Sequence, residues 1–544
     1  MKQLSHNGVL VPKYEAKGFR ILFRGKEIFL TPEQEEMAVA WVKKLGTDYV
    51  KEKVFLRNFF DDFAKALGIE EKISPEDIDF SEIISSVEKE KNYRLNLSKE
   101  ERKRLAEERK KIRERYKEKY GYATVDGQRV EVSNYVVEPG SIFMGRGKHP
   151  LRGRWKKGVK ESEIILNLSP DSKVPEGNWK EIVWEPDSMW IAKWDDKLRG
   201  KKKYVWLSDS SKIKQEREIE KFEKAKELAR ELEKVLNHIL DNLDSEDLKR
   251  RKTATVSYLI YKLSMRVGDE KEDDEADTVG ATTLTKDNVF IGKNNLVSFD
   301  FLGKDSVRWK KEVFLPEQVV KNLKEFIANS KSAIFNGVRS ESVNLFLSEA
   351  LPGLTSKVFR TYNASKAVGD YLKNVEINRE ASEDLKKYFA TMANLQAAMV
   401  CNHKRTLPKN WRGRLQRKLE SLKLLKERIK ARRNKKLETL ESRIKKLESM
   451  RLTRARKFKL REYKNKLKAL RKAEMTEREK ESVRRLELKI NLMKKTKDYN
   501  LSTSLKSYID PRVYREWFEK IDFDWKKYYP KALRRKFSWL EEKA

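Results

Sequence analysis

The sequence predicts a multidomain α+β protein. It has a mixed α/β N-terminal region, a mainly helical core region with a small antiparallel sheet, an antiparallel coiled-coil linker and a small helical C-terminal region. Three observations predict this. The chain has 544 residues, room for two to four domains of about 100–200 residues each. Short runs rich in Val, Ile, Phe and Trp, separated by helix-capping signals, fill residues 1–208, whereas 209–410 read mostly as helices with an apolar stripe. From 411 to 474 the apolar residues narrow to one stripe on otherwise charged segments, the pattern of a coiled coil. With 38% hydrophobic and 10% aromatic residues, including 12 Trp and 23 Phe, the chain can bury real cores.

In chain order, Val9–Val11, Phe19–Phe23 and Glu27–Leu30 read as extended. Thr31-Pro32-Glu33-Gln34 then opens a helix, with Thr31 at the N-cap, Pro32 at the first helical position and Gln34 closing a capping box. Ser98-Lys99-Glu100-Glu101 is a second box. The helix it starts runs to about Tyr120 with so little apolar surface that it is expected to project into solvent or toward a polyanion. Extended segments follow at Ser162–Asn167, Lys180–Trp184, Trp190–Trp194 and Tyr204–Leu207. Glu216–Leu243 reads as one long amphipathic helix and Thr253–Val267 as an apolar-rich one. Val289–Ile291, Leu296–Phe301 and Arg308–Val313 alternate like strands, with turns at Lys293-Asn294-Asn295 and Gly303-Lys304-Asp305. Helices resume near Pro316–Ala328 and continue to about His403. In the coiled coil the stripe runs through Leu415, Leu419, Leu422 and Leu425, then Leu437, Leu440, Ile444 and Leu447, then Leu460, Tyr463, Leu467 and Leu470. An antiparallel hairpin turning near Ser449–Arg456 is its simplest compact form. A third box, Thr476-Glu477-Arg478-Glu479, opens the C-terminal region 475–544, whose Trp517, Phe523, Trp525, Tyr528, Tyr529 and Trp539 need a surface to pack against.

Charge narrows the partners. The formal net charge is +37, from 123 Lys+Arg against 86 Asp+Glu. Residues 411–500 alone hold 34 Lys+Arg and 12 Asp+Glu. Such an excess points to a polyanion, above all nucleic acid. One cysteine, Cys401, excludes a disulfide framework or a Cys-based metal site, and His6, His149, His238 and His403 show no ligand spacing, so no metal is expected. No apolar run approaches a membrane span and no signal-peptide core is present. A Gly-x-x-x-x-Gly-Lys-Ser/Thr loop is absent, so no nucleotide cofactor is expected, and no acidic constellation reads as a two-metal nuclease.

Chemistry on a phosphodiester without ATP or metal needs a side-chain nucleophile, cations and donors around the phosphorus, and an acid for the leaving oxygen. Four segments supply the cations and donors. Met265-Arg266-Val267-Gly268 places an Arg at the end of an apolar helix, and Phe301-Leu302-Gly303-Lys304-Asp305 a Lys in a tight turn. Lys357-Val358-Phe359-Arg360-Thr361-Tyr362 places an Arg among apolar helical residues, and Val400-Cys401-Asn402-His403-Lys404 the one His of the C-terminal half. Taken singly, each reads more readily as a surface ion pair or a satisfied core residue.

Together with Phe143-Met144-Gly145-Arg146-Gly147-Lys148-His149-Pro150, Ala276-Asp277-Thr278-Val279-Gly280 and Ser504-Leu505-Lys506-Ser507-Tyr508-Ile509-Asp510-Pro511-Arg512, these segments resemble the eukaryotic-type DNA topoisomerase IB family. The likeness runs from about His6-Asn7-Gly8-Val9 past Arg512, nearly the whole chain, in the order Arg, Lys, Arg, His, coiled coil, Tyr. It implies five catalytic positions: Arg266, Lys304, Arg360, His403 and the nucleophile Tyr508. It also implies DNA contacts at Arg146, Lys148 and Asp305, and Lys357 is a plausible phosphate contact one turn before Arg360. Double-stranded DNA would be the partner, with no cofactor, in a monomer closed around the duplex. The organisation implied is a cap at 1–208, a catalytic core at 209–410, a linker at 411–474 and a Tyr-bearing region at 475–544. Ser507 stands where the family commonly has Asn, a side chain implicated in the camptothecin pocket, so the likeness implies neither sensitivity nor resistance to that drug. Lys404 stands where Gln is common. The sequence as read carries none of the long charged N-terminal tail of nuclear members, so the chain is expected in the cytoplasm, on the chromosome or nucleoid of a prokaryotic cell, or in the nucleus if the host is eukaryotic. Two other readings compete. One is a tyrosine recombinase, against which stands the coiled coil between His403 and Tyr508. The other is a non-catalytic architectural nucleic-acid binder, supported by charge alone.

Overall fold

The structure, a computed structural model, describes residues 1–145, 149–268, 278–304, 307–408, 410–451, 453–472 and 475–542. It is α+β, with long helices and, among the described residues, five small sheets of two to four strands. No helix among these residues is long and apolar enough to cross a membrane.

Residues 1–208 contain two cores. In the first, helices Pro32–Val42 and Lys53–Leu67 interleave Trp41 with Phe55, Phe59, Phe60 and Phe63; the Trp41 and Phe59 rings stack 4.8 Å apart. Gln34 Oε1 accepts from the Thr31 amide at 2.8 Å, the expected return arm of the cap. The second core is built on the sheet of Glu181–Val183, Ile165–Asn167, Trp190–Asp196 and Lys201–Trp206, in that spatial order. Val9–Val11 forms no strand; Leu10 makes a single bridge to Val136. The helix Lys99–Tyr120 buries none of its residues, as its composition requires.

The central region differs from the sequence pattern in two places that shape the site. Glu216–Leu243 is not one helix but two, Lys212–Arg230 and Leu232–Asp241, broken at Glu231. Phe222 of the first enters the core shared with the C-terminal region, while its Ala225 and Leu228 join Val235 and Ile239 of the second in the central core. The apolar helix is Leu248–Leu263, so Arg266 lies beyond it rather than on its end. Ser264 adopts a left-handed conformation (φ 53°). Its carbonyl accepts from Arg360, and Asn363 Nδ2 donates to Tyr261 O and Ser264 Oγ, both at 2.9 Å. Side chains of the neighbouring helix thus terminate this one.

Leu296–Gly303 and Val307–Phe314 form the central hairpin, with Val289–Ile291 beside the first strand. Helices Glu317–Ala328, Ser340–Ala350, Ser356–Lys373 and Glu383–Val400 follow. The C-terminal aromatics find their surface on the last two of these. Ala364, Val368, Ala390, Ala393 and Ala397 present small side chains against which Tyr514, Trp517, Phe518, Phe523, Tyr529 and Trp539 bury. Large rings fill the space that alanines leave, so 364–401 and 505–540 share one core. Helices Trp411–Glu448 and Arg454–Lys472 make the antiparallel pair, turning where expected and burying only Ile429 and Ile444.

Candidate active site

Arg360 is the centre of the site. It is 5% exposed, on the buried face of Ser356–Lys373. Its Nη1 donates to Ser264 O at 2.8 Å, and its Nη2 to Cys401 O at 3.0 Å and to His403 Nε2 at 3.2 Å. Its Cζ lies 4.9 Å from the centroid of the Tyr508 ring. The His403 and Tyr508 rings are tilted, with centroids 5.2 Å apart. One planar guanidinium thus meets two helix ends, the imidazole and the phenol.

Arg266 follows the terminated helix. Its carbonyl accepts from Ala281 N at 2.8 Å, and Val267 O from Thr282 N at 2.7 Å. This places Gly268 (φ 124°) directly against Gly280: a Cβ on Gly280 would stand 2.4 Å from Gly268 Cα, so only glycine fits there. Lys304 emerges from the strand end at Gly303, which pairs with Val307 across the hairpin. The Asp300–Arg308 ion pair, with Nε to Oδ1 at 2.8 Å, braces the same two strands. A cavity of about 630 Å³ is lined by Arg266, Lys304, Lys357, Arg360, Ser507 and Tyr508 among others. A smaller one of about 80 Å³ beside it is lined by Arg266, Lys304, Arg360 and His403. All five residues expected to be catalytic therefore meet around two adjoining cavities, with Lys357 on the rim. Arg146, Lys148 and Asp305 lie outside the described residues. So does Asp277 of the Ala276–Gly280 segment.

The nucleophile segment is docked at both ends. Tyr508 closes the short helix Leu501–Ser507, its amide donating to Ser504 O at 3.0 Å. Ser504 Oγ donates to Asn394 Oδ1 at 2.6 Å and Asn500 N to His403 O at 2.7 Å. Ser365 Oγ donates to Tyr508 O at 3.3 Å. Lys221 Nζ takes Ser507 O at 2.9 Å and Lys536 Nζ takes Lys506 O at 2.7 Å, while Glu218 pairs with both ammonium groups.

Electrostatics here oppose burial. Burial alone would raise the Tyr508 phenol, but the charges of Arg360 and Arg266, with the Arg360 hydrogen bond, outweigh it and bring the phenol below its usual value near 10. His403 moves the same way for reinforcing reasons: burial first, then Arg360 and Arg266, push it down to about 3. The imidazole is therefore neutral at any ordinary pH. Arginine only donates, so Nε2 accepts and Nδ1 carries the proton. That Nδ1 is buried without a hydrogen-bond partner among the described residues.

A prediction follows. The unfolded chain takes up the His403 proton near pH 6.5, whereas the folded chain resists until about 3. Stability is thus lost progressively as pH falls through that window, on the order of 3–5 kcal/mol from this residue. Denaturant titrations of His403→Gln should show a flatter dependence between pH 6.5 and 4; an unchanged slope would contradict the neutral buried imidazole.

Sequence reading missed Lys221, Lys311, Asn363, Ser365, Asn394 and Lys536. Only Lys311 left a signal, at an inward position of an alternating strand (below); the others are placed by the docking of distant segments.

The class defined by fold and site is a multidomain α+β protein with a tyrosine phenol set in a cluster of arginine, lysine and histidine side chains. Models of known families match along it. Residues 1–207 match the eukaryotic DNA topoisomerase I DNA binding fragment, 210–440 the eukaryotic DNA topoisomerase I catalytic core, and 480–544 the C-terminal topoisomerase domain. The chain is 34% identical to DNA topoisomerase 1 beta of Arabidopsis thaliana over 99% of its length and 58% of the relative's. It is 33% identical to the mitochondrial DNA topoisomerase I of Rattus norvegicus, over 100% of its length and 91% of the relative's. To DNA topoisomerase 1 of Homo sapiens it is 32% identical, over 100% of its length and 71% of the relative's. It spans less than two thirds of the plant relative. The chain belongs to the eukaryotic DNA topoisomerase I family.

Proposed function

We propose that the protein is a type IB DNA topoisomerase, relaxing positive and negative supercoils through a transient break in one strand. The observation that carries this reading is the Tyr508 phenol held under the Arg360 guanidinium, 4.9 Å from ring centroid to Cζ, with its acidity increased. Tyr508, ionised to the phenolate with its proton released to water, attacks the scissile phosphorus in line through its oxygen. As its bond to phosphorus forms, the bond to the 5′ oxygen breaks, leaving a 3′-phosphotyrosine and a 5′-hydroxyl. Arg266 and Arg360 bond the non-bridging oxygens, where a planar fork suits phosphate. As the phosphate takes the Arg360 hydrogen bond, the neutral His403 carries its proton on Nε2 and donates from there to one of these oxygens as charge builds. Lys304 gives its proton to the departing 5′ oxygen. The phosphotyrosine retains the energy of the broken ester, so the reverse reaction reseals the strand without ATP, and the cationic side chains stabilise charge without a metal.

Between the two steps the downstream duplex turns about the intact strand, driven by torsion. We read 1–208 as a cap and 209–410 as the core, closing around the duplex. The basic pair at 411–474 lies over downstream DNA, and 475–544 delivers the nucleophile. Arg146, Lys148, Asp305 and Lys357 contact the DNA near the break. Because all five catalytic groups come from one chain, a monomer suffices, and its substrate in the cell is chromosomal duplex DNA.

The deciding experiment is plasmid relaxation in EDTA without nucleotide. We expect supercoils of both signs to be relaxed. Affinity for duplex should fall by about 10³-fold or more between about 50 and 200 mM salt, because many phosphates are contacted. A plasmid still supercoiled after deproteinisation would leave only an architectural binder. Strand exchange between two duplexes would favour the recombinase.

A further inference from the structure

Lys311 occupies a position that its strand reserves for apolar side chains. In Val307–Phe314 the inward positions are Val307, Trp309, Lys311 and Val313, and Lys311 pairs across the hairpin with the fully buried Phe299. Its ammonium lies 5.3 Å from the Trp309 ring and donates to Leu263 O at 3.3 Å and Val400 O at 3.2 Å. Those are the last residues of helices Leu248–Leu263 and Glu383–Val400. Arg360 takes the next carbonyl at each end, Ser264 O and Cys401 O. Two cations therefore hold two consecutive carbonyls at each of two helix C-termini, where positive charge is favoured and unmatched carbonyls are otherwise costly. From these same ends the chain runs on to Arg266 and His403.

We propose that Lys311 is a positioning residue: its ammonium ties the two helix ends together and so fixes the separation of Arg266 and His403 across the reacting phosphorus. This rests on the topoisomerase reading and deepens it. The groups facing Lys311 from the packed elements are Arg360 of Ser356–Lys373, and Cys401 and Lys404 beyond Glu383–Val400. Its strand neighbours Lys310 and Glu312 are exposed on the other face. Burial first, with the charges of Arg360 and Lys404 added and Cys401 opposing, brings the ammonium down to about 8. The charge is present below that pH and lost as pH rises through it, so the tie weakens on the alkaline side.

The test is single-turnover cleavage by the full chain of a duplex oligonucleotide that loses its short 5′-hydroxyl product, alongside duplex affinity and thermal stability. Lys311→Met should cleave about 10- to 100-fold more slowly at neutral pH with unchanged affinity. Lys311→Arg should recover most of the rate and move the wild-type alkaline decline to higher pH. The exposed Lys310→Met should behave as wild type. A wild-type rate and pH profile for Lys311→Met would overturn the proposal. If that variant does not fold, an unshifted decline in Lys311→Arg does the same. A wild-type chain that never joins the duplex overturns this proposal together with the reading beneath it, whereas a wild-type chain that cleaves while Lys311→Met matches it overturns this one alone.

Discussion

Tyr508→Phe is expected to abolish strand joining and lower relaxation by at least about 10⁴-fold, the scale seen when a covalent nucleophile is removed. The substitution takes away one oxygen. The ring keeps its place beside His403, at 5.2 Å, and under Arg360, at 4.9 Å. The backbone ties at Ser504 and Ser365 do not involve the phenol. Folding and duplex affinity should therefore persist while the denaturant-resistant protein–DNA complex disappears. The measurement is a gel of the denatured reaction mixture beside the relaxation assay. A covalent complex that survives the substitution would remove Tyr508 as the nucleophile.

Arg360→Ala should produce the second largest loss, about 10³-fold in the cleavage step, the scale of removing one preorganised charge donor at a reacting oxyanion. It leaves Ser264 O and Cys401 O without this donor and frees His403. It also removes the first of the charges that bring the phenol down. Burial then dominates and the Tyr508 pKa rises, so the rate–pH profile should move to the alkaline side. Arg360→Lys should not rescue it, because an ammonium cannot reach two carbonyls and an imidazole in one plane. Single-turnover rates across pH check both points. A profile unmoved by Arg360→Ala would show that the phenol is not tuned by this guanidinium.

Much of the fold was legible because its cues are local. The Thr31, Ser98 and Thr476 boxes each start a helix one residue on. The alternation of the central hairpin and the stripe of the basic pair need only nearest-neighbour periodicity. The long helix 216–243 was misread because nothing local marks its break at Glu231. The end of the apolar helix was placed too late for a similar reason. Ser264 ends it through donors from Arg360 and Asn363, about a hundred residues away.

The sequence by itself determined the identities of the five candidate catalytic side chains, the basic charge and the order of the elements, since these follow from residue types, short spacings and a family likeness. Only the tertiary structure decided that Tyr508 sits against Arg360 and His403, and that Lys311 and Arg360 bind neighbouring carbonyls at two helix ends. It also decided that the C-terminal aromatics share a core with the alanines of Glu383–Val400. The reason is physical: periodicity says which face of an element is buried, but not which distant element buries it. That choice is made by packing and by the pairing of buried polar groups across long sequence separations.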